Sequence, residues 1–234
     1  MSGKIWLQAE YEFASLFSYR LPDFSSSYAP SAPMPGPSAV KLALVATAIE
    51  TSGHVSDGER LFRVVRNAVV ALEPPETVAM SRVFLKRLKR MKDGQIGKSY
   101  GTKEYVHLGG PIVIYLESDT DEADEVAIAM RRLRRIGTSD SLLYCLAVRE
   151  QAPNPALVAR IVLDFGTLSS AQDLVGRPTF RLKDIRKEAT FDQVNPFSST
   201  RAGDFLEQQF YIFPLRIYKQ GRNWVWYRRE PFVM

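Results

Sequence analysis

Residues 92–105, KDGQIGKSYGTKEY, place Gly97, Lys98 and Ser99 together, the three residue types that close a phosphate-cradling P-loop. That chemistry needs a glycine five positions ahead of the Gly-Lys-Ser, a buried strand before it and a helix beginning at the lysine, so that amides and dipole converge on the phosphates. Position 92 is lysine, the run before it is dense in Lys and Arg, and YGTKEYVHLGG after it has three glycines and a β-like centre. Nucleotide hydrolysis is therefore not expected. A glycine-punctuated connection between two strands fits better, with lysines on its flanks and Tyr100 and Tyr105 interleaved. Such a stretch suits single-stranded nucleic acid, whose phosphates pair with cations and whose unpaired bases stack on rings. A solvated charged hairpin with its tyrosines packed on the sheet fits the same residues.

The charge distribution sharpens the first of these. Of 234 residues, 31 are basic and 26 acidic, a net charge of +5. Between Ser81 and His107 stand Arg82, Lys86, Arg87, Lys89, Arg90, Lys92, Lys98 and Lys103 against Asp93 and Glu104, a local charge of +6 that leaves −1 for the rest of the chain. A concentrated positive segment on a neutral body is the footprint of a polyanion site, with anionic lipid and acidic protein as the other members of that class. An apolar content of 45% and a charged content of 24% are those of ordinary globular proteins. Cys145 is the only cysteine, and His54 and His107 are the only histidines, too few ligands for a structural zinc. MSGKIWLQAEYEF lacks the apolar centre of an export signal, and the apolar stretch 39–49 contains Lys41 and is about half of what crosses a bilayer. The expectation is a cytoplasmic protein without metal or cofactor.

These residues need elements to hold them. Leu7, Ala9, Tyr11 and Phe13 alternate with Gln8, Glu10 and Glu12, which predicts a first strand with one buried face. SYRLPDFSSSYAPSAPMPGP, rich in Ser and Pro, predicts a surface loop without regular structure. AVKLALVATAIETSG then reads as a buried helix with Ser38 as N-cap and Gly53 as its stop. Residues 60–91 admit a short helix followed by a strand, and VAMSRVFLKRLKRMK suits either period, with strand pairing favoured. Ile112–Leu116 predicts a central strand. DTDEADEVAIAMRRLRRIG predicts a helix ending at Gly137, acids in its first turn, arginines in its last, and Val126, Met130, Leu133 and Ile136 on one face. SLLYCLAVRE follows as a strand. Residues 151–205 give mixed signals, and FYIFPLRIYKQGRNWVWYRRE predicts two strands around a Gln220-Gly221 turn. The order strand, helix, strand pair, helix, strand is the βαββαβ pattern of a ferredoxin-like or RRM-like α+β sheet.

Three blocks carry a family resemblance. SYRLPDFSSSYAPSAPMPGPSAVKLALVATAIE resembles the strand exit, proline-rich loop and helix start of the Cas family-five proteins, RAMP-superfamily subunits of CRISPR Cascade effectors. GTKEYVHLGGPIVIYLE resembles the strand that follows that family's basic thumb, with Lys103 where arginine is usual. RRLRRIGTSDSLLYCLAV resembles the helix, turn and strand that come next. The blocks span roughly residues 17–148 in the family's order. The resemblance implies a single RAMP domain over 1–234, with an RRM-like core to about residue 150, a β-hairpin thumb from Arg82 to Tyr105 and a β-rich C-terminal extension. It implies a non-catalytic subunit of a type I Cascade complex, acting in antiviral defence. That subunit would hold the 5′ handle of the crRNA, touch backbone and large subunits, and meet target DNA only through the complex.

The thumb cations, Tyr100 and Tyr105 would then contact RNA. So would Tyr19, Arg20, the Ser25–Ser27 run, the helix start at Ser38, and Lys41 within that helix. Some family members cut precursor RNA without metal. Lys103, Tyr105 and His107 share one face of an expected strand and could serve that alternative, a metal-independent endoribonuclease, though His107 reads better as a structural or passive contact.

Overall fold

The computed structural model describes residues 3–22, 24–25, 28–92, 94–162, 176–198 and 204–233. The strongest sequence signal, the period of two at the start of the chain, becomes β1 (Lys4–Phe13), with Leu7, Ala9 and Tyr11 buried on one face. A two-residue strand, β2 (Tyr28–Ala29), precedes helices α1 (Pro37–Ser52) and α2 (Val55–Val65) and the short strand β3 (Val70–Glu73). Next come the long strands β4 (Thr77–Arg90) and β5 (Ile96–Leu108), then β6 (Ile112–Asp119), a single 3-10 turn, α3 (Ala123–Arg132) and β7 (Leu143–Glu150). The C-terminal part holds β8 (Arg160–Val162), β9 (Thr179–Ile185), the short helix α4 (Phe191–Val194), β10 (Leu206–Ile212), β11 (Leu215–Gln220) and β12 (Trp224–Arg229). The fold is mixed α+β, mostly strand with few helices.

The strands form three sheets among the described residues. The first, in the order β3-β6-β1-β7, is antiparallel throughout, with Leu7 opposite Leu116 and Ala9 opposite Ile114. Ile112, Ile114 and Leu116 are buried, so β6 is a central strand as its apolar run predicts. Tyr11 reaches out of this sheet to donate to the Met130 carbonyl of α3 at 2.9 Å. The second sheet is β8-β10-β9; the third, β11-β12-β4-β5-β2, carries the basic segment.

Four expectations are corrected. The helix predicted up to Gly137 ends at Arg132, because the following residues leave it to pair: Arg135 bridges Leu142, and the Leu143 amide donates to Arg134. Leu133 and Ile136 stay buried although they are no longer helical. Ser38 is not the N-cap of α1. Gly36 is, with Pro37 in the first helical position, where its missing donor costs nothing. Gly53 stops that helix as predicted, at φ +78°. The Ser/Pro segment is not a surface loop throughout, since residues 30–38 are all buried. Prolines bring no backbone donor that would need satisfying, and the Ser31 amide donates to the Glu104 carboxylate at 2.9 Å. Finally, the strands either side of the basic turn do not belong to the first sheet. They enter between β3 and β6 and build a separate one.

Candidate nucleic-acid interface

β4 and β5 pair without a register break from Val78–Leu108 to Arg90–Ile96. The turn is closed by the Met91 amide on the Gln95 carbonyl at 2.8 Å, and Gly94 supplies the positive φ, +84°, that few side-chain-bearing residues adopt. The hairpin is anchored only at its root. β12 pairs with β4 from Thr77 to Ser81, β2 pairs with β5 at Thr102 and Lys103, and the outer half has no further sheet neighbour among the described residues.

Alternation along the strands splits the cations between two faces. Arg82, Lys86 and Arg90 share one with Lys98, and Arg87 and Lys89 share the other with Lys103. Among the described residues Lys86, Arg87, Lys89, Arg90, Lys92 and Lys98 make no ion pair, whereas Arg82 holds Glu104 at 3.2 Å and Lys103 holds Asp140 at 3.2 Å. Thr138, by hydrogen bonding, and Lys103 keep the Asp140 carboxyl below the usual carboxylate range. Phe84 and Tyr100 stack nearly parallel, 18° apart with centroids at 5.8 Å, and remain 68% and 52% exposed.

Beside the hairpin lies an open groove of about 1090 Å³. Arg87, Lys89, Tyr100 and Lys103 form one wall; Tyr19, Arg20 and the early turns of α1 form another, and the Arg135–Ser139 turn closes it. Gly137 shapes that turn at φ +91°, where a Cβ would lie 3.3 Å from the Ser18 carbonyl. The groove thus gathers cations and aromatic rings from segments far apart in the chain. In the sequence Arg135 and Ile136 read as the end of a helix, and nothing there assigns the turn after them to the groove.

The remaining expected residues fall as follows. Arg20 and Lys92 are exposed. Tyr19 lines the groove, and burial pushes its pKa up, with Ser38 acting in the other direction. A Cβ on Gly36 would come within 2.9 Å of the tyrosine hydroxyl, so glycine lets Tyr19 close over the start of α1. Ser38 is only 4% exposed, and the Ala39 and Val40 amides bond the Gly36 carbonyl. Lys41 is likewise removed from the groove: it is 1% exposed, with its ammonium 2.8 Å from Asp184 and donating to the Arg66 carbonyl at 3.1 Å. Position 41 lies on the same inward stripe of α1 as Leu44 and Val45, and this draws the lysine inside. Ser25 is exposed and receives the Tyr28 amide, away from the groove; Ser26 and Ser27 lie outside the described residues. Lys103, Tyr105 and His107 do share a face of β5, and the Lys103 ammonium sits 4.7 Å over the Tyr105 ring. Only Lys103 of the three lines the groove. Among the described residues no cluster of three metal-ligating side chains occurs, and no helix is long and apolar enough to cross a membrane.

No family model matches the chain. It is 38% identical over 228 residues to the CRISPR-associated protein Cas5 of Archaeoglobus fulgidus, an alignment spanning 94% of this chain and 96% of that protein. Among solved structures, a CRISPR protein from Archaeoglobus fulgidus aligns at 13% identity over 96% of this chain and 92% of its own, with a TM-score of 0.45. A chain of a CRISPR RNA-guided surveillance complex aligns at 13% identity over 98% and 91%, with a TM-score of 0.38. Likenesses this distant carry no weight for fold or function.

Proposed function

The chain belongs to the Cas5 family of CRISPR-associated proteins, and on that premise we propose that it is an RNA-holding subunit of a type I Cascade complex. It grips the 5′ handle of the crRNA in the groove beside the basic hairpin, contacts backbone and large subunits, and meets target DNA only through them, as part of cytoplasmic antiviral defence. The observation that carries this is that six hairpin cations have no carboxylate partner among the described residues: Arg87 and Lys89 line the groove, and Lys86, Arg90 and Lys98 share the other face with the stacked, exposed Phe84 and Tyr100. Side chains left uncompensated in this way await an external polyanion. The order β3-β6-β1-β7, with α1 and α2 between its first two strands and α3 between its last two, supports a ferredoxin-like, RAMP-type core from which the hairpin projects as a thumb. The subunit holds RNA without cutting it. Lys103 is committed to Asp140, and His107 lies outside the groove's lining.

Binding is chiefly electrostatic on this view. If the six cations neutralise about six phosphates of a single strand, the logarithm of the affinity falls with the logarithm of salt at a slope of about −4. A fourfold rise in salt then weakens binding about 300-fold. Reversing Lys86, Arg87, Lys89 and Arg90 together to glutamate should flatten that slope, read by fluorescence anisotropy with a repeat-derived RNA carrying the handle. A slope equal to the parent's would remove the hairpin from the contact.

A further inference from the structure

Residues 215–229, LRIYKQGRNWVWYRR, hold five basic side chains, no acidic one and four aromatic rings. Arg216 is met by Glu230 and Arg229 by Glu73, each at 2.6 Å. Lys219, Arg222 and Arg228 meet no carboxylate among the described residues.

Register decides where the rings stand. Trp224 lies opposite Ser81, and Ser81 opposite Tyr105; Trp226 lies opposite Ala79, and Ala79 opposite His107. Directly opposed residues share a face. β12, β4 and β5 therefore present Trp224, Trp226, Tyr105 and His107 together. The alternate residues Val78, Met80, Val106 and Tyr227 are buried, which turns the ring-bearing face outward. From β11, the Tyr218 ring meets Trp226 edge-on at 5.2 Å, and the Arg228 guanidinium lies 3.5 Å over Tyr218. Trp224 and Tyr218 remain 46% and 43% exposed. Farther along β4 and β5, the same face carries Lys103, Arg87 and Lys89, which already line the groove.

A surface meant for another protein concentrates apolar groups at its centre and moves charge to the rim. Here cations lie among the rings, and Arg228, Lys219, Arg87 and Lys89 meet no carboxylate among the described residues. A single-stranded nucleic acid satisfies both at once, its phosphates on the cations and its bases on aromatic and guanidinium planes. We propose that this sheet face is a second contact for single-stranded RNA, continuous with the groove, which stacks bases of the strand as it leaves the hairpin. The proposal rests on the RNA-holding function above and adds base stacking to its phosphate contacts.

The test uses the full chain and two probes of equal length and charge, an oligouridine of about 16 nucleotides and its abasic phosphodiester counterpart. Trp224→Ala and Tyr218→Ala should each weaken oligouridine binding about 5- to 150-fold, the effect of losing one stacked base, and leave the abasic strand unaffected. Trp224→Phe, which keeps a ring, should stay within about twofold of the parent and guards against a folding artefact. Glutamate reversal of the hairpin cations should weaken both probes. If the ring variants bind both probes as the parent does while the hairpin variant loses both, the second contact is overturned and the hairpin stands. If no variant weakens either probe, both fall together. Ring variants that bind RNA normally but fail to enter the assembled complex would assign the face to a protein partner and overturn the proposal.

Discussion

At the scale of single residues, Lys41 and Lys86 show how little a residue type says about its task. Both belong to the expected RNA contacts, yet Lys86 stands exposed on a hairpin while Lys41 is enclosed with Asp184, a partner 143 positions away. Nothing local to AVKLALVATAI announces that partner, so the sequence could place the lysine on a helix but not assign it. Removing one member of a buried pair leaves the other charge without compensation, at about 3–5 kcal/mol. Lys41→Ala should thus lower stability by about 3 kcal/mol in urea unfolding, with RNA affinity within about twofold of the parent. Lys41→Met, which fills the volume without the charge, should fall between the two. The opposite pattern, intact stability with weakened RNA binding, would return Lys41 to the groove. Trp224, Trp226 and Tyr218 are the converse case. Their composition stands in the sequence, but alternation there predicts only two strands and says nothing of the face that Tyr105 and His107 complete.

At the scale of elements, strands were easier to find than helix ends. The period of two identifies β1 because one of its faces is buried, VAMSRVFLKRLKRMK suits either period because the outer half of β4 has no buried face, and the end of α3 is set by a bridge to Leu142 that periodicity cannot see. Packing of α1 on α2 has a comparably hidden cause. Gly58 stands inside α2, where alanine is intrinsically better by about 1 kcal/mol. A Cβ there would sit 2.4 Å from Ile49 Cγ1 and 3.3 Å from the Val45 carbonyl, so the glycine is what lets the two helices touch. Gly58→Ala should therefore cost about 1–3 kcal/mol in spite of its propensity gain, through overpacking at the crossing. Adding Ile49→Ala should recover part of that loss, and the double-mutant cycle would expose the coupling. Two simply additive losses would locate the cost elsewhere.

At the scale of the whole molecule, the two larger sheets are tied by a polar chain. Gln8 donates to the Tyr115 hydroxyl at 2.9 Å, Tyr115 donates to Glu73 at 2.9 Å, and Arg229 donates to Glu73 at 2.6 Å, joining β1, β6 and β3 to β12. Burial, and then the Glu73 hydrogen bond, push the Tyr115 pKa up to about 12. Burial also raises Tyr11 and Tyr211, in other parts of the fold. A tyrosine with a raised folded pKa stabilises fully below its unfolded value of about 10; above it the unfolded chain releases its proton first, so stability falls as pH climbs. The urea midpoint should hold up to about pH 10 and decline steadily towards pH 12, with Tyr115 contributing on the order of 2–3 kcal/mol. Tyr115→Phe should flatten part of that decline. A midpoint flat across the window would show these tyrosines to be solvated. The strands β1 and β6 of the first sheet are readable from hydrophobic pattern; that the basic hairpin founds another sheet is not, because only the partners β12 and β2 reveal it.

The outer half of that hairpin also bears on how copies of the chain meet one another. β4 past Arg82 and β5 before Thr102 pair only with each other among the described residues, so the ribbon shows two bare rows of backbone donors and acceptors, with Leu88 and Ile96 exposed between them. Such edges are templates for strand addition by another copy, the first step towards aggregation. Lysines and arginines repel a like-charged copy, so the same side chains oppose strand addition at these edges. On the RNA-holding function proposed above, loading with guide would cancel that repulsion as the strand occupies the ribbon, leaving no interval in which the edge is both neutral and uncovered.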